Sequence, residues 1–178
     1  GAFQGSKITS IVLPQSIKII AAGAFQNCTQ LEKVVLPESI TQLSAACFAG
    51  CYNLYDINIP EGITDLASNT AYGYCSYVFG GCSKIKNFNI PNGVTRLASG
   101  CFQSSGLEYI TIPAQCLILD KGSLNVNSLK EVKLCVRDMN QLTFTESVFG
   151  NVSKTSLLVP HGSKQVYQEY YPWMDFKS

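Results

Sequence analysis

The sequence predicts a mainly β repeat solenoid. Three observations carry that prediction: a proline returns at near-constant spacing, apolar residues keep phase with it, and an aromatic column closes each period. Pro14, Pro37 and Pro60 lie 23 residues apart, Pro91 follows after 31 and Pro113 after 22. The apolar residues before each proline recur as Ile8, Ile11, Leu13; Leu31, Val34, Leu36; Leu54, Ile57, Ile59; Ile85, Phe88, Ile90; and Leu107, Ile110, Ile112. A sixth copy reads Leu129, Val132, Leu134, with Cys135 in the proline position. Self-similarity at this period is the mark of a stacked-repeat architecture.

Each element of the period has a physical reading. Alternating apolar residues suit a short strand that sends every second side chain into one interior. Proline then ends the strand's hydrogen-bond ladder and turns the chain. The pairs Ile17/Ile20, Ile40/Leu43, Ile63/Leu66 and Val94/Leu97 start a return leg. Phe25, Phe48, Phe79 and Phe102 close the rung as a turn or 3-10 segment, followed three residues later by Cys28, Cys51, Cys82 or Ser105. One rung buries too few side chains to fold alone, so the rungs must stack.

The resulting unit, L-x-x-I-x-I-P-x-x-I-x-x-L-x-x-x-A-F-x-x-C, resembles the BspA-like (treponemal-type) leucine-rich repeats from about Ala2 to Ser178. The resemblance implies a right-handed leucine-rich-repeat superhelix of short parallel strands with 3-10 or turn segments. It also implies a setting on the surface of anaerobic bacteria and some protozoa, with adhesion to host proteins and other cells.

The chain divides as one domain, residues 1–178, with a partial first rung at 1–6, about six rungs over 7–152, and a C-terminal strand and cap over 153–178. Ala2-Phe3 repeats the closing segment 22 residues before Phe25, so the natural chain is expected to extend N-terminally. At the other end, Leu157-Leu158-Val159-Pro160 is the expected last strand. Ser163 is placed to N-cap a short capping helix through Tyr170, with Tyr171, Trp173 and Phe176 covering the last rung.

Rung three carries about eight extra residues between Leu66 and Phe79, within the run Ser68 to Tyr77. Tyr72, Tyr74 and Tyr77 make it a candidate binding loop, because tyrosine offers large contact area at low entropic cost. The plainer reading is a tolerated surface insertion.

Composition narrows the function classes. Thirteen basic against twelve acidic residues leave no single-sign field for nucleic acid or anionic lipid. No apolar run reaches membrane-span length. His161 is the sole imidazole, the eight cysteines include no C-x-x-C pair, and no phosphate-cradling glycine loop is present. Asp56, Asp65, Asp120 and Asp138 show no spacing that singles out an acid–base pair. Neither an enzyme nor a metal or cofactor site is expected. Cys28, Cys51 and Cys82 share one column and read as buried free thiols, Cys47 and Cys101 as core filler, while Cys75, Cys116 and Cys135 fall off column.

The strand positions between inward residues should form a concave platform. Its candidate binding residues are Tyr55, Asp56, Asn58, Lys86, Asn87, Asn89, Glu108 and Tyr109, an arrangement of aromatic bodies among amides that suits protein or glycan contacts. The plainer reading is solvated strand residues. Two functions stay open: a cell-surface, adhesin-like module that binds a host extracellular protein or glycan, and a structural spacer that presents another domain and has no ligand.

Overall fold

The structure, a computed structural model, describes residues 1–67, 76–145, 147–169 and 172–177. The chain coils through successive rungs, and each contributes one strand to either of two stacks. The first stack holds β1 (Ser10–Val12), β3 (Lys33–Val35), β5 (Asp56–Ile57), β7 (Asn87–Asn89), β9 (Tyr109–Ile112), β11 (Glu131–Leu134) and β13 (Ser156–Leu158). The second holds β2 (Ile19–Ile20), β4 (Gln42–Leu43), β6 (Asp65–Leu66), β8 (Arg96–Leu97), β10 (Ile118–Leu119) and β12 (Thr143–Phe144). Every strand pairing is parallel, as it must be when each turn lays its strand beside the previous turn's.

Register follows the apolar columns. Ile11 faces Val34, which faces Ile57; farther along, Phe88, Ile110, Val132 and Leu157 align in the same way. After each strand the proline carbonyl accepts a hydrogen bond from the residue three positions on: Ile17 to Pro14, Ile40 to Pro37, Ile63 to Pro60, Val94 to Pro91 and Cys116 to Pro113, all at 3.0–3.1 Å. That pattern corrects the expectation that Cys116 lies off column. It occupies the position of Ile40 and Val94 and is fully buried, a small apolar residue in the return leg.

The closing segments stack most regularly. Phe3, Phe25, Phe48, Phe79 and Phe102 form a pile of nearly parallel rings with centroid spacings of 5.2, 5.3, 5.7 and 5.5 Å. A repeat that advances by one strand spacing, roughly 5 Å, places identical side chains on one another. Phe88 from β7 packs against two of these rings, 5.0 Å from Phe79 and 4.7 Å from Phe102. Main-chain bonds run alongside: Phe25 N–H to the Cys47 carbonyl (2.8 Å), Phe48 to Val78 (3.1 Å), Phe79 to Cys101 (2.8 Å) and Phe102 to Ser123 (3.0 Å). The turn entering each closing segment needs left-handed backbone, which Gly23 and Gly100 adopt freely and Ala46 and Tyr77 adopt at φ 55° and 42°.

The thiols complete this spine. Cys28 Sγ donates to the Phe3 carbonyl at 2.9 Å, Cys51 to Phe25 at 3.0 Å and Cys82 to Phe48 at 3.2 Å. Cys28, Cys47, Cys51, Cys82, Cys101 and Cys116 are buried free thiols, and Cys135 is a half-buried one. Cys75 lies outside the described residues.

Among the described residues neither stack is a continuous sheet. The first divides into β1-β3-β5 and β7-β9-β11-β13, and the second into β2-β4-β6 and β8-β10-β12. Both divisions fall at the rung that carries the insertion. On the last rung before the division, Asn58 reaches back to the preceding rung and substitutes its side chain for main chain: Oδ1 accepts from the Leu36 N–H at 2.6 Å and Nδ2 donates to the Leu36 carbonyl at 2.8 Å. The neighbouring inward residues Ile57 and Ile59 are only partly buried, whereas Val34 before them and Phe88 after them are buried.

The C-terminal cap comprises α1 (Lys164–Gln168) and a 3-10 turn, Trp173–Asp175. Trp173 packs on Phe149 at 5.3 Å and on Tyr167 at 5.7 Å, and Phe176 meets Phe149 at 5.0 Å, so the last rung is covered as the sequence suggests. Tyr171 and Tyr170 lie outside the described residues. Ser163 does precede α1, but its hydroxyl donates to the Arg137 carbonyl at 3.3 Å and makes no cap bond. The preceding rung draws that side chain away from the helix.

Candidate functional site

The outer face of the β1–β13 stack carries the candidate residues in three columns. Tyr55, Lys86 and Glu108 stand in the first, Asp56, Asn87 and Tyr109 in the second, and Asn58 and Asn89 in the third. Register places Asn87 directly beside Tyr109, and Asn89 beside Thr111. The division between β5 and β7 separates these residues into two groups. Tyr55, Asp56 and Asn58 ride on the first sheet; Lys86, Asn87, Asn89, Glu108 and Tyr109 ride on the second.

Several charges on this face pair with one another. Lys33 Nζ meets Asp56 Oδ2 at 2.5 Å across β3 and β5. Glu108 sits between two lysines, with Oε1 at 3.1 Å from Lys86 Nζ and Oε2 at 2.5 Å from Lys130 Nζ. The hydrogen bond from Lys130, then that from Lys86, lowers the Glu108 carboxyl below its ordinary value, and Glu108 in turn raises Lys130. The same ammonium lies 5.9 Å from the centroid of the Tyr109 ring, within cation–π range. Asp56 likewise raises Lys33 through their hydrogen bond. Exposed pairs of this kind contribute little stability, but they leave the face without a dominant charge. Tyr55, 59% exposed, and Tyr109, 43% exposed, are the large aromatic bodies on it.

Asn58 differs from the other candidates because its carboxamide is engaged by Leu36 on both sides. Tyr72 and Tyr74 of the insertion lie outside the described residues. Tyr77 is 36% exposed, and its ring lies over Gly80, where an added Cβ would come within 3.0 Å of it. With Ala46, Ala49 and Gln103 it borders a shallow hollow of about 240 Å³ on the closing-segment side, away from the strand face.

Some features escaped the sequence reading. Arg96 grips Asp120 with two hydrogen bonds, Nε to Oδ2 at 2.6 Å and Nη2 to Oδ1 at 3.0 Å, which ties β8 to the following rung. The pairing spans 24 residues and no local pattern announces it. A cleft of about 380 Å³ opens beside α1, between β13 and the cap. Among the described residues no group of three His, Cys, Asp or Glu side chains could hold a metal ion. No helix among them is long and apolar enough to cross a membrane.

Stacked parallel strands, a proline turn and a stacked aromatic spine define a leucine-rich-repeat solenoid. The model of the BspA type leucine-rich repeat region, in six copies, matches residues 1–78 and 74–173, and the chain belongs to that family. Solved structures with the same fold include the pneumococcal vaccine antigen PcpA (17% identity, TM-score 0.74, covering 91% of this chain and 38% of that one). The leucine-rich repeat protein TpLRR of T. pallidum aligns at 19% identity and TM-score 0.65, over 93% of this chain and 86% of its own. A leucine-rich cell surface protein of Faecalibacterium prausnitzii aligns at 22% identity and TM-score 0.58, over 97% and 35%. The chain thus spans little more than a third of the pneumococcal and Faecalibacterium proteins. No curated protein gives a significant match.

Proposed function

We propose that this chain is a non-catalytic binding module displayed outside a bacterial cell, which recognises a protein or glycan through the concave strand face. The observation that carries the reading is the pairing of charges on that face. With Lys33, Asp56, Lys86, Glu108 and Lys130 engaged among themselves, Tyr55 and Tyr109 remain as exposed aromatic anchors beside Asn87 and Asn89. Aromatic anchors with amide neighbours are the usual high-energy contacts of recognition surfaces. The similarity to a bacterial cell surface protein and to a vaccine antigen supports an extracellular setting. Host extracellular proteins and glycans are the partners this setting suggests, and the reading needs no cofactor.

The second reading, a spacer without a ligand, is favoured by the engagement of Asn58 with Leu36, which commits a candidate contact residue to the fold. The two readings part in a binding screen against immobilised extracellular-matrix proteins and a glycan panel, run beside a Tyr55→Ala/Tyr109→Ala variant. Saturable binding that the variant loses supports recognition through the strand face. Binding that survives in the variant moves the site to the Tyr72–Tyr77 loop. No binding favours the spacer.

A further inference from the structure

We propose that the cleft on the C-terminal cap is a binding site for a compact apolar monocarboxylate, separate from the strand face. The cleft measures about 380 Å³, at the lower end of the roughly 300–1,000 Å³ typical of small-molecule sites. Its walls are Leu157 and Val159 from the last strand and Tyr167, Trp173 and Phe176 from the cap. The Tyr167 hydroxyl is bonded to the Val136 carbonyl at 2.9 Å, so this residue offers the cleft its ring rather than a polar group.

The charged groups of the lining have one sign. Lys164 on α1 and Lys177 on the tail both border the cleft and are exposed. Among the described residues no acidic group lies within ion-pair distance of either, unlike Lys33, Lys86 and Lys130 on the strand face. Among the described residues the lining holds no carboxylate: Glu169 and Asp175 lie nearby in sequence, and neither borders the cleft. Gln168 adds a neutral amide donor. Apolar walls edged by two ammonium groups, the Gln168 carboxamide and Ser156 complement a hydrocarbon body that ends in one anionic oxygen pair. A cation would meet like charge there, and a neutral ligand would gain no charge-assisted contact from either lysine. In the fit that this chemistry implies, the hydrocarbon rests against Trp173 and Phe176 and the carboxylate takes charge-assisted hydrogen bonds from Lys164 and Lys177.

Trp173 is the only tryptophan in the chain, so its emission reports on the cleft directly. The test titrates the protein with octanoate, octanol and octyltrimethylammonium, all below their aggregation concentrations. A saturable change in emission is expected with octanoate, about tenfold weaker binding with octanol, and no saturable change with the ammonium probe. The Lys164→Gln/Lys177→Gln variant, checked for native circular dichroism, should bind octanoate about tenfold more weakly, the loss of charge-assisted contacts. Lys133→Gln, a charge change on the strand face, should bind like the parent, and so should Tyr55→Ala/Tyr109→Ala. The proposal is overturned by an absent octanoate response, by equal affinity for octanoate and octanol, or by unchanged affinity in the lysine variant. Because the Tyr55/Tyr109 variant is scored in both experiments, failure here leaves the strand-face reading intact, and the reverse holds too.

Discussion

Asn58 holds Leu36 by both of its main-chain groups, accepting from the N–H at 2.6 Å and donating to the carbonyl at 2.8 Å. At the equivalent places elsewhere a neighbouring carbonyl takes the N–H, as in Leu13 to Val35 and Ile90 to Thr111. One carboxamide therefore acts as a short piece of strand at the point where the sheet stops. The Asn carboxamide supplies both hydrogen-bonding polarities that this contact uses. Asn58→Ala should cost about 1–3 kcal/mol, because two main-chain groups of a buried residue lose their partner. Asn58→Asp should cost a similar amount, since a carboxylate cannot donate to the Leu36 carbonyl. Urea unfolding measures both, and an unchanged midpoint in either variant would contradict the clamp.

The cysteine column makes an opposite prediction at its last member. Ser105 follows Cys28, Cys51 and Cys82 in the repeat, and its hydroxyl is buried without a partner. The thiols of the other rungs reach a carbonyl at 2.9–3.2 Å, a contact that the longer C–S bond of cysteine favours. Ser105→Cys should therefore stabilise the protein by about 0.5–1.5 kcal/mol, by relieving an unsatisfied hydroxyl and restoring the pattern. A variant less stable than the parent would mean that packing, rather than hydrogen bonding, sets this position.

Phe48 sits in the middle of the aromatic spine, 5.3 Å from Phe25 and 5.7 Å from Phe79, and is fully buried. Phe48→Ala removes a ring that both neighbours touch and should destabilise by about 3–5 kcal/mol. Phe3→Ala should cost much less, because Phe3 is 40% exposed and stacks on one ring only. Equal losses at the two positions would rule out a stacking contribution that depends on depth in the pile.

Burial also sets the response to alkali. Desolvation pushes the Cys51 and Cys116 thiols up to about 12 and holds Cys47 and Cys82 well above the ordinary 9.0. In the unfolded chain these thiols ionise near 9, so above that pH the unfolded state binds fewer protons than the folded one. Their stabilising contribution is complete below pH ~9 and is lost as the pH rises toward ~12, at up to about 1.4 kcal/mol per pH unit for each thiol. The urea midpoint should fall between pH 9 and pH 11 more steeply in the parent than in a Cys51→Ala/Cys116→Ala variant. Thiol reagents should label Cys47, Cys51, Cys82, Cys101 and Cys116 only after unfolding, and rapid labelling of the native protein would contradict their burial.

How legible the molecule was in its sequence depended on whether a feature repeats. Leu31, Val34 and Leu36 return in every rung, so their strand, their inward direction and their burial could be read from spacing alone. Cys116 was misread because it fills an isoleucine position with a residue that also defines another column; counting from Pro113 rather than from Phe102 would have placed it. Features that happen once were invisible. Nothing in the local pattern tells that Asn58 reaches back 22 residues, or that Arg96 reaches forward 24. The cap cleft is likewise made by a strand, a helix and a tail that meet only in three dimensions. The columns of the strand-face residues follow from the repeat, but the division of the sheet beneath them falls at an insertion whose effect on neighbouring rungs the sequence does not encode locally.

That division has a mechanical consequence. A solenoid pulled along its axis distributes the load over whatever bonds join one turn to the next. At most turns of this chain two strand ladders and the closing segment share the load. At the turn after β5 and β6, among the described residues, neither ladder continues. The connections there include the closing-segment bonds of Ser76, Phe79 and Gly81, the Asn92–Glu61 contact, the aromatic pile and the continuous apolar core. Two ladder-joined blocks thus meet at a turn without a ladder of its own, and under tension that turn, between Tyr55 and Tyr109, is expected to yield before the others.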